Sequence, residues 1–503
     1  MTFDLTIPSQ LLAALTPDLI LMAGATLLMV LTALRPEGSA SQRGIGKLAL
    51  VVLVATAVAV VAMIMAGNNV GPGVIAVDRF RWTADLIFIG AAIGTVLLSM
   101  EYGDKEHIPQ AEVHVLVLFA TAGMMTLAAA RDLMIVFLGI EIMSIAVYVL
   151  AGLNRRSAKA AEGALKYFLL GAFATGFLLY GIALTYGATG STNLSVIGKV
   201  IVDHQLQSQS MLLIGVGLLL VGFGFKVAAV PFHMWAPDVY EGAPTPTTAF
   251  MASAVKAAAF AVFLRIWLEA FPQMDRAWIL PVWWLAAITM LVGNVVALAQ
   301  RNIKRLLAYS SVVHSGYLLV AVAAGTRLGS AAFLFYLVAY TIATFGAFAV
   351  VTTIGTAGER NQDLSDYEGL WSVRPGLAIA MGVCMLALMG FPLFGGVGFF
   401  AKWYLLQAAL GSPHNLLPLS VILVLTSVIA AGYYLNVVRV MFMKPRPEGA
   451  AEIGPIGPLT QGVLAVTVAL IIGLGLFPSQ LATWTRGSTP MAPNQTAAQA
   501  TNK

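Results

Sequence analysis

Runs of about 20 apolar residues follow one another almost from end to end of the chain, separated by short polar gaps. That is the length an α-helix needs to cross a hydrocarbon layer about 30 Å thick. Fourteen candidate spans fall near 17–35, 46–66, 83–100, 113–130, 132–153, 163–187, 211–230, 244–271, 278–299, 304–324, 329–354, 376–409, 417–442 and 460–482. Lipid offers the backbone no partners, so each run is expected to be a helix that satisfies its own hydrogen bonds. A barrel would show short alternating segments instead. Of the 503 residues 59% are hydrophobic and 10% charged, whereas a soluble domain carries about 25% charge. A soluble enzyme and a disordered chain are excluded, and an all-α polytopic membrane protein remains.

Basic residues set the expected orientation. Residues 1–17 contain no Lys or Arg, so the charged start of a cleavable signal peptide is missing. With the first loop in the cytoplasm, that side collects 14 basic residues, among them Arg155, Arg156, Lys159, Lys304 and Arg305. The other side collects 8, among them Arg79, Arg81 and Arg131. The bias predicts that both termini lie outside the cytoplasm. Arg131–Asp132, between spans four and five, reads as a solvated turn. Arg265 and Arg439 lie toward helix ends, where long side chains can snorkel to the headgroups.

Five ionisable residues are harder to place. Glu141, Lys226, Lys256, His314 and Lys402 fall within spans five, seven, eight, ten and twelve. Such a group at mid-membrane costs at least about 2.5–3.5 kcal/mol on insertion scales, which makes it a functional candidate. Gly222 and Gly224 precede Lys226, and Pro231 follows it. Gly390, Pro392, Gly395, Gly396 and Gly398 precede Lys402. Glycine lets a helix open and proline removes a backbone donor. Opened backbone at membrane depth belongs inside protein or along a wet cavity. The interrupted spans are fourth in two five-span units, 113–271 and 278–442, flanked by 1–112 and 443–503. Matching interruptions mark an inverted repeat, and five spans per unit make consecutive units enter from opposite sides.

Lysine suits proton transfer here, because burial disfavours its charge and a nearby carboxylate restores it. A Glu141–Lys226 pair of variable separation would load and release a proton. Structural pairing is the alternative reading for Glu141, Lys226 and Lys256, and contact with an interface for Lys402. His314 reads alternatively as a satisfied core histidine. Asp238 and Glu241 suit either proton attraction at the cytoplasmic mouth or loop folding. Other chemistries find no support. Cys384 is the only cysteine, too few for a disulfide or an iron–sulfur cluster. Neither zinc-ligand spacing nor a dinucleotide fingerprint occurs. Asn193-Leu194-Ser195 has the form of a glycosylation sequon, and the polar segment 188–210 suits a helix along the membrane edge.

The segment PFHMWAPDVYEGAPTPTTAFMASAVK, residues 231–256, resembles the antiporter-like membrane subunits of respiratory complex I. Complex I is the proton-pumping NADH:quinone oxidoreductase, and these subunits of it are related to Mrp-type cation/proton antiporter subunits. The likeness covers roughly residues 113–442. It implies a hydrophilic axis through paired inverted half-channels, with Glu141, Lys226, Lys256, Lys402, His314, Lys166 and His233 in a proton relay. For Lys166 the alternative is an ordinary pair with Glu162, and for His233 a local hydrogen-bonding role. The short tail after span fourteen and Lys402 look like the N-type branch of that family. The resemblance also implies a bacterial inner membrane and a hetero-oligomer, with an M-type neighbour on one side and small quinone-proximal membrane subunits on the other. It implies no cofactor in this chain and FMN, iron–sulfur clusters and a quinone in other subunits. Nucleic acid is not an expected partner. An Mrp-type antiporter subunit is the alternative.

Overall fold

The computed structural model describes residues 7–34, 39–67, 73–106, 108–355, 358, 362–392, 396–450 and 452–490, with only the backbone described at 39–42 and 105. Twenty-one α-helices occur among them. The first group is α1 Pro8–Ala14, α2 Thr16–Leu34, α3 Ser39–Ala66 and α4 Arg79–Glu106. Next come α5 Gln110–Ala129, α6 Leu133–Ala151, α7 Ala158–Thr189, α8 Leu194–Asp203, α9 Ser210–Lys226, α10 Trp235–Gly242, α11 Thr245–Phe250 and α12 Lys256–Glu269. A π-turn, Met251–Val255, joins α11 to α12 into one span. The second half holds α13 Asp275–Leu298, α14 Ile303–Ala323, α15 Arg327–Ile354, α16 Leu370–Val373, α17 Pro375–Met389, α18 Gly396–Leu410 and α19 Leu417–Met443. Finally, α20 Pro458–Leu476 and α21 Pro478–Gly487 close the chain.

Twelve of these spans are long and apolar enough to cross a membrane, and the shorter apolar helices α9 and α17 complete the fourteen expected positions. The two short ones are those carrying interruptions. After α9 the chain runs irregularly to α10; after α17 it turns at Gly390, whose φ of +83° suits glycine. Gly395 lies outside the described residues. Span eight, α14 and α15 are buried along nearly their whole length, whereas α2, α3 and α20 keep most of their surface exposed. Span eight, α14 and α15 are thus the spans best shielded from lipid.

Local sequence explains the helix starts. Asp132 caps α6 by accepting from Met134 N at 2.8 Å, and Asn302 caps α14 by accepting from Lys304 N at 2.9 Å. Each capping residue also forms an isolated antiparallel bridge, Asp132 with Asn193 and Asn302 with Asp363. In the first bridge Leu133 N donates to Thr192 O at 2.9 Å and Leu194 N to Arg131 O at 2.9 Å. In the second Ile303 N donates to Gln362 O at 2.7 Å and Leu364 N to Arg301 O at 2.8 Å. The bridges occupy equivalent places in the two five-span units, as the interruptions do. Both pairs of features support the inverted two-unit division, which stands as a proposal.

Several polar residues differ from expectation. Arg131 and Asp132 are buried, not a solvated turn: Arg131 Nε donates to Glu269 at 2.9 Å, and Asp132 caps α6. Arg265 does not snorkel; it is fully buried and doubly bonded to Asp78. Arg81 and Lys304 are likewise fully buried rather than loop charges. Tertiary cover decides these cases, because a cation near a helix end can face either water or a neighbouring helix. Asn193 caps α8 through its side-chain oxygen while its amide donates to Gly73 O at 3.1 Å, so the sequon residue is structurally engaged. Leu194, Ile197 and Ile201 form the buried face of α8, a ten-residue helix within the polar segment 188–210.

Candidate functional site

Lys226 is the last residue of α9, where the backbone leaves the helix and Ala228 takes φ +55°. The groups freed by this break must find other partners. Phe225 O accepts from Trp235 Nε1 at 3.0 Å, Val227 O from Ser315 Oγ at 2.6 Å, and Val230 N donates to Thr289 Oγ1 at 2.9 Å. Thr289 lies on α13 and Ser315 on α14. The buried Lys226 ammonium donates to Ser144 Oγ at 2.7 Å and Tyr148 OH at 3.2 Å, both on α6.

Glu141 shares that face of α6, three and seven residues before Ser144 and Tyr148. It is half-buried, and no hydrogen bond or ion pair within 4 Å engages it among the described residues. The expected Glu141–Lys226 contact is therefore open here. Two hydroxyls hold Lys226 instead.

Lys256 begins α12 directly after the π-turn, a local widening that recurs at functional sites. Its buried ammonium donates to Ser311 O at 2.7 Å, to Ser311 Oγ, and to Ser315 Oγ at 3.0 Å. Ser315 thus joins the break beside Lys226 to Lys256. Ser311 Oγ accepts in turn from Tyr340 OH at 2.8 Å. The Tyr340 ring lies 4.9 Å from the His314 ring. His314 Nδ1 meets Tyr336 OH at 2.6 Å and Nε2 meets Tyr434 OH at 3.0 Å; Tyr434 OH also meets Ser310 Oγ at 2.5 Å. Hydroxyls both donate and accept, so such a series can pass a proton without net movement of heavy atoms.

Lys402 closes the line on α18. Its ammonium donates to Met389 O at 2.8 Å, the open carbonyl at the end of α17, and stands 4.8 Å from the Tyr317 ring centre. A cation at a helix C-terminus is favoured by the free carbonyls there. His314, Tyr336, Tyr340 and Lys402 share a cavity of about 10 Å³, roughly room for a single water.

Lys166 and His233 stand apart from this line. Lys166 pairs with Glu162 at 2.6 Å, the i,i+4 neighbour, and with Asp238 at 2.8 Å. Asp238 and Glu241 both bind Arg305, at 2.8 and 2.9 Å, and Glu241 binds Lys159 at 2.8 Å. Lys159, Glu162, Asp238, Glu241 and Arg305 line a 190 Å³ cavity at the end expected to face the cytoplasm. His233 is half-buried, with its ring 6.3 Å from that of Tyr309 and no partner for Nδ1.

Sequence reasoning missed the hydroxyls of Ser144, Ser311, Ser315, Tyr340 and Tyr434. Their only signal is helical register with the lysines after folding. Lys304 was missed too: it is fully buried at the start of α14 and donates to Ala243 O at 2.7 Å. A second set of buried charges lies at the opposite end of the bundle, around Arg81 and Arg265.

Residues 130–430 match the family described as NADH:quinone oxidoreductase/Mrp antiporter, TM. NADH-quinone oxidoreductase subunit N of Gemmatimonas aurantiaca is 49% identical over 489 residues, covering 95% of this chain and 94% of that protein. The subunit N of Trichlorobacter lovleyi is 47% identical over 407 residues, covering 81% and 82%. A chain of respiratory complex I from Thermus thermophilus superposes with TM-score 0.77 at 34% identity, covering 94% of this chain and all of that one. A chain of the Mrp complex from a Dietzia species superposes with TM-score 0.82 at 21% identity, covering 95% and 97%, and so shares the fold.

Proposed function

Because this chain belongs to the NADH:quinone oxidoreductase/Mrp antiporter family of membrane subunits, we propose that it is an N-type, proton-translocating membrane subunit of a bacterial NADH:quinone oxidoreductase. The observation that carries the reading is the buried hydrogen-bonded set of Ser315, Lys256, Ser311 and Tyr340, which meets the broken backbone beside Lys226 at Val227 O and faces the cavity shared by Tyr340, His314 and Lys402. The Lys256 ammonium sits within it among hydroxyls that can turn, and Glu141 lies on the same face of α6 as the two hydroxyls that hold Lys226.

In this reading quinone reduction elsewhere in the complex alters the field at Glu141 and drives a proton between Lys226 and Lys256, carried by water entering the opened backbone between them, since Val227 O can only accept. The ring of His314 and one water carry it to Lys402. Moving a charge across a 100 mV potential requires about 2.3 kcal/mol, which the redox reaction of other subunits supplies. Those subunits hold the flavin, the iron–sulfur clusters and the quinone, and this chain holds none. Lys166, Asp238, Glu241 and Arg305 form a charged antechamber at the cytoplasmic end, and His233 serves the break locally. The M-type subunit lies on one side and the small quinone-proximal subunits on the other, in the inner membrane.

The test is Lys226→Ala or Glu141→Ala, assembled in the whole complex and reconstituted in vesicles. The number of protons moved per quinone reduced is expected to fall. Unimpaired pumping at normal quinone reduction removes both residues from the mechanism. The antiporter alternative is separated by mild purification: flavin and iron–sulfur subunits are expected to travel with this chain, and their absence favours ion exchange without electron transfer.

A further inference from the structure

Seven charged groups meet at the end of the bundle expected to face away from the cytoplasm. Asp18 comes from α2, Asp78, Arg81 and Asp85 from the start of α4, Arg131 from the turn between α5 and α6, and Arg265 and Glu269 from α12. All are 8% exposed or less, and Arg81, Asp85 and Arg265 are wholly enclosed. Three carboxylates are matched to the three guanidiniums. Arg81 binds Asp18; Arg265 binds Asp78 through two bonds of 2.8 and 2.9 Å and Glu269 at 2.8 Å; Arg131 binds Glu269 at 2.9 Å.

Asp85 is the fourth carboxyl. Neither of its oxygens has a hydrogen-bond partner, and the nearest cation, Arg81 Nε, is 3.6 Å away. The guanidinium it faces binds Asp18 through Nη2, and its Nε, the atom nearest Asp85, is too far away to donate and makes no hydrogen bond at all. An enclosed carboxylate without donors is far more costly than a neutral carboxyl, and such groups take up a proton instead. The tally points the same way: with every group ionised the set carries one excess negative charge, and one proton removes it. We propose that Asp85 is a proton-binding site, occupied in the resting protein, which keeps this outer charge cluster neutral. The site is separate from the lysine line, and the proposal is the same whichever ion that line conducts.

Infrared spectroscopy of the intact complex tests it. The carbonyl band of a neutral carboxylic acid is expected in the unaltered protein, shifted by ¹³C labelling of aspartate and absent from Asp85→Asn. Identical acid bands in the two proteins overturn the proposal. Should Asp85→Asn not assemble, Asp85→Glu keeps the acid: its band is expected to lose sensitivity to labelled aspartate, and a retained shift overturns the assignment. Glu269→Gln probes the charge balance. Removing that negative charge is expected to ionise Asp85 and abolish the band although Asp85 is still present, and an undiminished band refutes the neutrality argument.

Discussion

Ser315 is the smallest group on which the lysine line depends. It donates to Val227 O at 2.6 Å and accepts from Lys256 at 3.0 Å. Ser315→Ala would leave a buried carbonyl without that donor, a loss of about 1–3 kcal/mol. The expected outcome is an assembled complex with a lower unfolding midpoint and fewer protons moved per quinone reduced. An unchanged ratio takes Ser315 out of the line. At this scale the sequence revealed the lysines, because an ammonium within an apolar run is conspicuous. It did not reveal their partners, because serine and tyrosine are ordinary in membrane helices and only packing places Ser311 and Ser315 against Lys256 and Tyr340 against Ser311. Arg81, Arg265 and Lys304 were misread for the reverse reason. Their positions near helix ends allow water contact, and the covering helices come from distant parts of the chain.

The two interrupted spans were legible as elements, since Gly and Pro beside a lysine leave few other conformations. Their close approach was not. A Cβ placed on Gly398 would stand 1.7 Å from Ala387 O, so α18 packs against the backbone of α17 at that point. Gly398→Ala is expected to force the helices apart, displace Lys402 from Met389 O and sharply reduce the complex recovered in membranes; normal recovery with normal pumping contradicts this. The bridges that pin Asp132 to Asn193 and Asn302 to Asp363 join residues about 60 positions apart, beyond the reach of any local pattern. The caps that Asp132 and Asn302 place on α6 and α14 are local, and their residue types are those that favour such ends.

Orientation belongs to the whole molecule. With the buried Arg81, Arg131 and Lys304 removed from the loop count, 13 basic residues face 6 across the membrane, so the expected bias stands. Cys384 is buried, which leaves a quiet background for labelling. Lys159→Cys is expected to react with an impermeant thiol reagent from the cytoplasmic side and Arg486→Cys from the other; labelling from the same side refutes the arrangement. The bundle also constrains how ions can pass. Thr289 on α13 holds Val230, and Ser315 on α14 holds Val227, so the second five-span unit grips the first at its weakest stretch. A carrier that alternates access by rocking one half against the other would part these bonds at every turnover. In the proposed two-unit arrangement these bonds stitch the halves together where such a slip plane would run, so rocking would break them, and a proton path carried by swivelling side chains within a still scaffold is the arrangement they favour.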